Sequence, residues 1–346
     1  MTKKRILTGD RPTGKLHLGH YVGSLKNRVA LQNEYECYFI VADLHTLTTQ
    51  PEKTGELKNN IRELVLDYLS VGINPKIATI YIQSQIPEVA ELAIIISNLV
   101  TVSRLQRVPT LKDVMRDLEI VNPSFGLLGY PVLQAADILS FRANLVPVGR
   151  DQVSHIEATR EIAREFNRLY GETFPVPEAL IGDVPVLPGT DGRAKMSKSL
   201  GNVINLSDDS ETVKRQVMKM YTDPKRVHGD EPGHVEGNPV FVYLDAFVGE
   251  LKTKNESSSR AQVEGKRKTL EEYKNKYHKG KVGDVEVKEF LVEVLEEFLA
   301  PIRKKRQEFA KKPELIEKIL KEGTEKARTE AQKTLELVRK TMKIDY

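Results

Sequence analysis

Thr8-Gly9-Asp10-Arg11-Pro12-Thr13-Gly14-Lys15-Leu16-His17-Leu18-Gly19-His20 stands directly after a short apolar run, Arg5–Leu7, and before a helical pattern. A strand that passes through such a loop into a helix presents free backbone N–H groups at the helix start, where phosphate is bound readily. Gly19 has no Cβ and lets a nucleotide lie against the backbone. His17 and His20 can donate hydrogen bonds to phosphoryl oxygens. Outward from this loop, β-rich runs at Cys37–Val41, Ala78–Ile82 and Leu145–Val148 alternate with helical stretches such as Leu57–Val71. The alternation predicts an α/β fold, a Rossmann-like parallel sheet with helices on both faces. Ligands of such sheets lie beyond the carboxyl ends of the strands, which marks Thr8–Gly14, Asp43–His45, Gln83–Gln85 and Gly149–Gln152 as the first places to look.

The chain has 346 residues, 40% of them apolar and 29% charged. That is enough for a catalytic domain of roughly 200 residues and a smaller second one, and it excludes a fibre or a disordered chain. Met1-Thr2-Lys3-Lys4-Arg5 runs straight into the first strand with no apolar stretch long enough for a signal peptide or a membrane span. A cytoplasmic protein with no membrane partner is expected. Cys37 is the sole cysteine, so an internal disulfide is excluded, no zinc or iron–sulfur cluster is expected, and the thiol reads as a small buried hydrophobe. Residues 301–346 hold 14 Lys and Arg against 8 Asp and Glu, whereas the rest of the chain is near neutral. A basic end of this kind suits a polyanionic partner or a solvated helix face.

The helical pattern after Asp151 carries Ile156, Ile162, Phe166 and Leu169 on one side and stops at Gly171. Residues 172–202 are rich in Pro and Gly, and from about 207 the sequence reads as helices interrupted by a polar stretch, Lys252–Gln262. The domain change is therefore placed near 205, giving a catalytic domain over 1–204 and a helical domain over 205–346. A last helix over Glu314–Lys343, with Ile316, Ile319, Leu320, Ala327, Ala331, Leu335, Val338 and Met342 in one stripe, must pack on something and can fold back onto the first domain.

A second loop, whose Lys195 comes 175 residues after His20, reads Pro188-Gly189-Thr190-Asp191-Gly192-Arg193-Ala194-Lys195-Met196-Ser197-Lys198-Ser199. Two lysines three apart, among Gly189, Gly192 and Gly201, can close over a triphosphate. Lys195 and Lys198 would then meet the charge that builds as pyrophosphate leaves, where electrostatic stabilisation is most effective.

Together and in this order, His17-Leu18-Gly19-His20 and Lys195-Met196-Ser197-Lys198-Ser199 resemble the paired signatures of class I aminoacyl-tRNA synthetases. The segments Tyr130–Leu139 and Asn144–Gln152, with the helix that runs to Gly171, look like those of bacterial tryptophanyl-tRNA synthetases. The resemblance implies activation of L-tryptophan by ATP with Mg2+, transfer to tRNA(Trp), a tRNA-binding role for the helical domain, and a homodimer. It implies an ATP site of Arg11, Thr13, Gly19, His20, Gly149, Asp151, Lys195, Met196, Ser197, Lys198 and Ser199, with His17, His20, Lys195 and Lys198 in the chemistry and Lys112 as a further triphosphate contact. For tryptophan it implies Leu7, His45, Gln134, Asp137 and Gln152, with Asp137 accepting from the indole N–H, a group that is a donor only.

Tyrosine enzymes share this fold and both motifs. Gln134 followed by Asp137 also occurs in them, but they carry a tyrosine at the position of Leu7 to meet the substrate phenol. Two further functions fit part of the pattern, that of a nucleotidyltransferase and that of a non-charging RNA-binding paralogue. The first lacks a need for Lys195–Ser199, and the second would be expected to lose motif residues that are intact here.

Overall fold

The computed structural model describes the chain except residues 1–2, 150–151, 182–186, 193–195, 224–225, 227, 229 and 252–259, and the side chains of 199 and 260. Five strands, β1 (Arg5–Asp10), β2 (Glu36–Val41), β3 (Ala78–Ile82), β4 (Leu145–Val148) and β5 (Glu178–Ile181), form one sheet in the order β3-β2-β1-β4-β5. All four pairings are parallel, with Arg5 opposite Glu36, Cys37 opposite Ala78 and Ile6 opposite Leu145. Cys37–Val41 are buried throughout, as a central parallel strand covered on both faces requires. The chain order reverses direction between β1 and β4, which creates a crevice at their carboxyl ends. There Thr8 Oγ1 donates to the Pro147 carbonyl oxygen at 3.3 Å.

The parallel α/β architecture agrees with the alternation of strand and helix patterns in the sequence. β1 continues three residues past the apolar run to Asp10 because Gly9 sits beside Ile40, whose carbonyl oxygen would lie 1.9 Å from any Cβ there. β5 was not expected. Its Glu-Ala-Leu-Ile sequence is a short edge strand exposed at both ends within the Pro-rich stretch, and it lacks the apolar run that marks the buried strands.

The helices are α1 (Leu18–His20), α2 (Lys26–Leu31), α3 (Asp43–Leu47), α4 (Leu57–Val71), α5 (Pro87–Ser97), α6 (Val102–Leu105), α7 (Pro109–Asp117) and α8 (Phe125–Ser140). After β4 come α9 (Val153–Tyr170), α10 (Ser210–Met218), α11 (Pro239–Val248), α12 (Arg260–His278), α13 (Asp284–Ala310) and α14 (Pro313–Met342). A π-helical turn, Tyr21–Leu25, joins α1 to α2. The expected limits of α4 are those observed, and α9 ends at Gly171 in its capping position.

Two compact units divide the chain differently from 1–204 and 205–346: the first is Met1–Gly14, Lys26–Asp183 and Lys312–Tyr346, the second Lys15–Leu25 and Val184–Lys311. Within the second unit the Leu18 N–H donates to the Ile204 carbonyl and the Leu206 N–H to that of Leu16, both at 2.9 Å. Tyr21 donates to Glu250 Oε2 at 2.9 Å and meets Phe298 edge-on at 4.8 Å. These contacts draw a segment from the start of the sequence into the helical unit, a long-range pairing that local periodicity does not encode.

In the first unit α14 lies across β3. Gly323 crosses the Ile80 carbonyl so closely that a Cβ would stand 1.9 Å from its oxygen, and the Ile82 N–H donates to Thr324 Oγ1 at 3.2 Å. Arg5 bridges Glu36 at 2.9 Å and Glu330 at 2.8 Å, while Arg328 and Arg339 reach Glu88 and Glu91 on α5. An edge strand is thereby covered by a helix rather than left as a template for another chain.

Candidate active site

At the end of β1, Asp10 faces Arg28 of α2, with contacts of 2.6 and 3.3 Å to its two oxygens. Tyr68 of α4 donates to Asp10 Oδ2 at 2.7 Å, and Arg28 also donates to the Gly9 carbonyl at 3.1 Å. Burial lowers the Arg28 pKa, but Asp10 and Tyr68 raise it further, and the net shift is upward. This buried cation fixes the strand end from which the exposed loop residues Arg11 and Thr13 leave. Arg11 donates to Thr49 at 3.3 Å.

Beyond β2 and β3, still in the first unit, Asp137 of α8 is 2% exposed. His45 Nε2 lies 2.9 Å from its Oδ2, and Gln83 Nε2 donates to Oδ1 at 3.0 Å and Oδ2 at 2.8 Å. Gln83 is itself aimed by its Oε1, which accepts from the Leu44 N–H at 3.1 Å. Next to it Asp43 accepts from the Ser84 N–H at 2.9 Å, so the turns after β2 and β3 are tied together. Burial raises the Asp137 carboxyl above the ordinary carboxylate range, against the hydrogen bonds from His45 and Gln83 that pull it down. A carboxylate has about four acceptor positions. His45 and Gln83 occupy three and leave one on Oδ1 for a further donor.

The structure thus brings Asp137 and His45 together, while Leu7 is 4% exposed in the core with Tyr38, Tyr81 and Phe141. Gln134 is half-buried one turn before Asp137. Gln152 caps α9 and donates from its N–H to the Gly149 carbonyl at 3.0 Å; Gly149 is exposed after β4. Lys112 is exposed on α7. Asp151 and Lys195 lie outside the described residues.

His17, Gly19 and His20 belong to the second unit, as do Met196, Ser197 and Lys198. The His20 ring nitrogen accepts from the His17 N–H at 3.2 Å, and the two rings lie 3.8 Å apart. A Cβ on Gly19 would come to 3.0 Å from the His17 ring and 3.2 Å from Met196 Sδ, so the glycine lets the second motif approach the first. Asn202 holds that second loop: its Oδ1 accepts from the Ser197 N–H at 2.7 Å, its Nδ2 donates to Asp191 at 3.1 Å, and its carbonyl accepts from the Thr190 N–H at 3.0 Å. Lys198 opens a short 3-10 turn closed by Gly201. The side chain of Ser199 is not among those described.

Gln83, Tyr130 and His155 were given no role from the sequence. Gln83 did carry a signal, as a polar residue just past a buried strand. Tyr130 lies on α8 at one-turn and two-turn spacing before Gln134 and Asp137, on the same stripe.

A family model of class I tRNA synthetases for tryptophan and tyrosine matches residues 2–300. The chain is 54% identical over 340 residues to a tryptophan–tRNA ligase of Treponema pallidum, covering 98% of this chain and 96% of that one. It is 52% identical over 343 residues to the tryptophan–tRNA ligase of Borreliella burgdorferi, covering 98% and 93%. Among solved structures, a tryptophanyl-tRNA synthetase from Campylobacter jejuni, complexed with ADP and tryptophan, superposes with a TM-score of 0.82 at 33% identity, covering 98% of this chain and 99% of that one. The family match over residues 2–300, both signature motifs and near-complete coverage by such relatives agree: the chain belongs to the class I aminoacyl-tRNA synthetases and, within them, to the tryptophan–tRNA ligases.

Proposed function

We propose that the protein joins L-tryptophan to ATP as tryptophanyl-adenylate, releasing pyrophosphate, and then passes the tryptophanyl group to tRNA(Trp). The observation that carries the reading is Asp137, buried, held by His45 and Gln83 and left with one acceptor position. In the first step the tryptophan carboxylate attacks the α-phosphorus of ATP and the bond to pyrophosphate breaks. In the second a terminal ribose hydroxyl of tRNA attacks the mixed anhydride and AMP leaves. No side-chain nucleophile is required, since positioning and charge stabilisation supply the rate.

In this scheme Asp137 reads the indole, with Leu7 and Gln134 beside it and His45 acting through Asp137. Gln152 serves the amino acid's main-chain end. Arg11, Thr13, Gly149 and Asp151 serve the nucleotide, and Lys112 the triphosphate. His17, Gly19 and His20 serve the phosphates, and Lys195 to Ser199 the departing pyrophosphate. Mg2+ arrives on the triphosphate, which brings its own oxygen ligands. The helices of the second unit engage the tRNA, the working form is a homodimer, and the protein acts in the cytoplasm. No helix among the described residues is long and apolar enough to cross a membrane.

ATP–pyrophosphate exchange driven separately by each of the twenty amino acids tests the reading. Tryptophan is expected to support it and tyrosine hardly at all, because Leu7 offers a phenol no partner. The chain contains no tryptophan of its own, so uptake of the substrate indole can also be followed by fluorescence. Exchange driven by tyrosine would overturn the substrate assignment and leave the fold standing.

Lys198→Ala is expected to lower kcat of the exchange roughly tenfold to a hundredfold, the value of a hydrogen bond to a charged group, with KM for tryptophan little changed. A loss carried wholly by KM at constant kcat would show uniform binding instead and remove Lys198 from the pyrophosphate step.

A further inference from the structure

His155, 1% exposed on the first turn of α9, stands at the meeting point of three helices of the first unit. Its Nε2 lies 2.5 Å from the Thr110 hydroxyl on α7 and 3.2 Å from the Tyr130 hydroxyl on α8, and its ring meets the Tyr130 ring edge-on at 5.2 Å. A packing role would be served by an apolar side chain of similar volume. An imidazole here also dictates where two hydroxyl protons point.

We propose that His155 is a positioning residue for the amino acid: its Nε2 draws the Tyr130 hydroxyl proton inward, so that the phenol oxygen presents lone pairs to the substrate ammonium. Tyr130, Gln134 and Asp137 run along one stripe of α8. With the indole at Asp137, the main-chain end of the substrate comes toward Tyr130. An ammonium has three donors and no acceptor, and a hydroxyl whose own proton pointed at it would repel it. When Nε2 accepts, the phenol proton is taken up inside, either by the ring nitrogen directly or through Thr110, which donates in turn to Nε2. The proposal therefore requires the tautomer with Nε2 as acceptor. The proposal rests on the tryptophan-activating reading above.

The test is a double-mutant cycle in tryptophan-dependent ATP–pyrophosphate exchange with the full-length protein. His155→Leu and Tyr130→Phe are each expected to raise KM for tryptophan about tenfold, with kcat and KM for ATP changed less than about twofold. The double variant is expected to match the single ones, because His155 acts through Tyr130. A KM about a hundredfold above the parent, the product of the two, would mean independent effects and overturn the proposal. His155→Gln, whose amide oxygen reaches about as far as Nε2, should keep KM within about threefold, whereas the shorter His155→Asn should raise it about tenfold. That pair decides the matter if the leucine variant does not fold, and equal KM values for Gln and Asn would count against the proposal. A parent protein inactive with tryptophan would instead be a failure of the functional reading itself.

Discussion

Asp137→Ala is expected to lower kcat/KM for tryptophan by about 2–4 kcal/mol, roughly 30- to 1000-fold, because the indole N–H would enter a buried site with no acceptor. The same truncation leaves the Nε2 donor of Gln83 without its two contacts, which adds to the loss. Exchange kinetics read the effect, and a change smaller than about threefold would separate Asp137 from indole recognition. A companion variant, Asp137→Asn, reports on the charge. Burial raises the folded carboxyl's pKa, so the folded state holds its proton to higher pH than the unfolded chain does. Stability contributed by this group therefore falls as pH climbs from about 4, the unfolded carboxyl value, through the raised folded value. Relative to the parent, Asp137→Asn should become more stable as pH rises through that window. Melting temperatures of the two proteins between about pH 4 and pH 7 would show it, and a gap moving the other way would place the folded pKa below the unfolded one.

Arg28→Ala is expected to cost about 3–5 kcal/mol of folding stability, since it removes the cation from a buried pair and strands Asp10 at the end of β1. That is a large part of the roughly 5–15 kcal/mol typical of a folded domain. Removing both charges together, as Asp10→Asn with Arg28→Met, should recover most of the loss, because the penalty comes from the uncompensated charge more than from the lost attraction. Urea unfolding of the two variants measures this. A loss below about 1 kcal/mol for Arg28→Ala would show that water reaches Asp10 and that the strand end is not held in this way.

Four of the five strands, α4 and the end of α9 were legible because each depends on local pattern: a continuous apolar run, a helical stripe, a capping glycine. β5 was not, since an exposed edge strand needs no such run. The compact units follow bounds other than 1–204 and 205–346 for a different reason. Lys15–Leu25 join the helical unit through hydrogen bonds to Ile204, Leu206 and Glu250, far along the chain, and composition does not record contacts of that range. Asp137 and the two signature loops were singled out from motif and chemistry. Gln83 was marked only as a polar residue past a strand, its contact with Asp137 being a long-range one, and His155 escaped because a buried histidine in sequence reads as an ordinary interior polar residue.

Any attempt to isolate the first unit has to reckon with α14. α14 supplies Thr324 to the last N–H of β3 and lays Gly323 on its backbone, yet it is encoded after the whole helical unit. A truncated protein that stops near residue 205 is therefore not a smaller version of the first unit; it is that unit with one margin of its sheet uncovered and ready to pair with another molecule. A self-sufficient form of the first unit has to carry α14 together with the strands and to bypass both Lys15–Leu25 and 184–311, the two segments of the second unit.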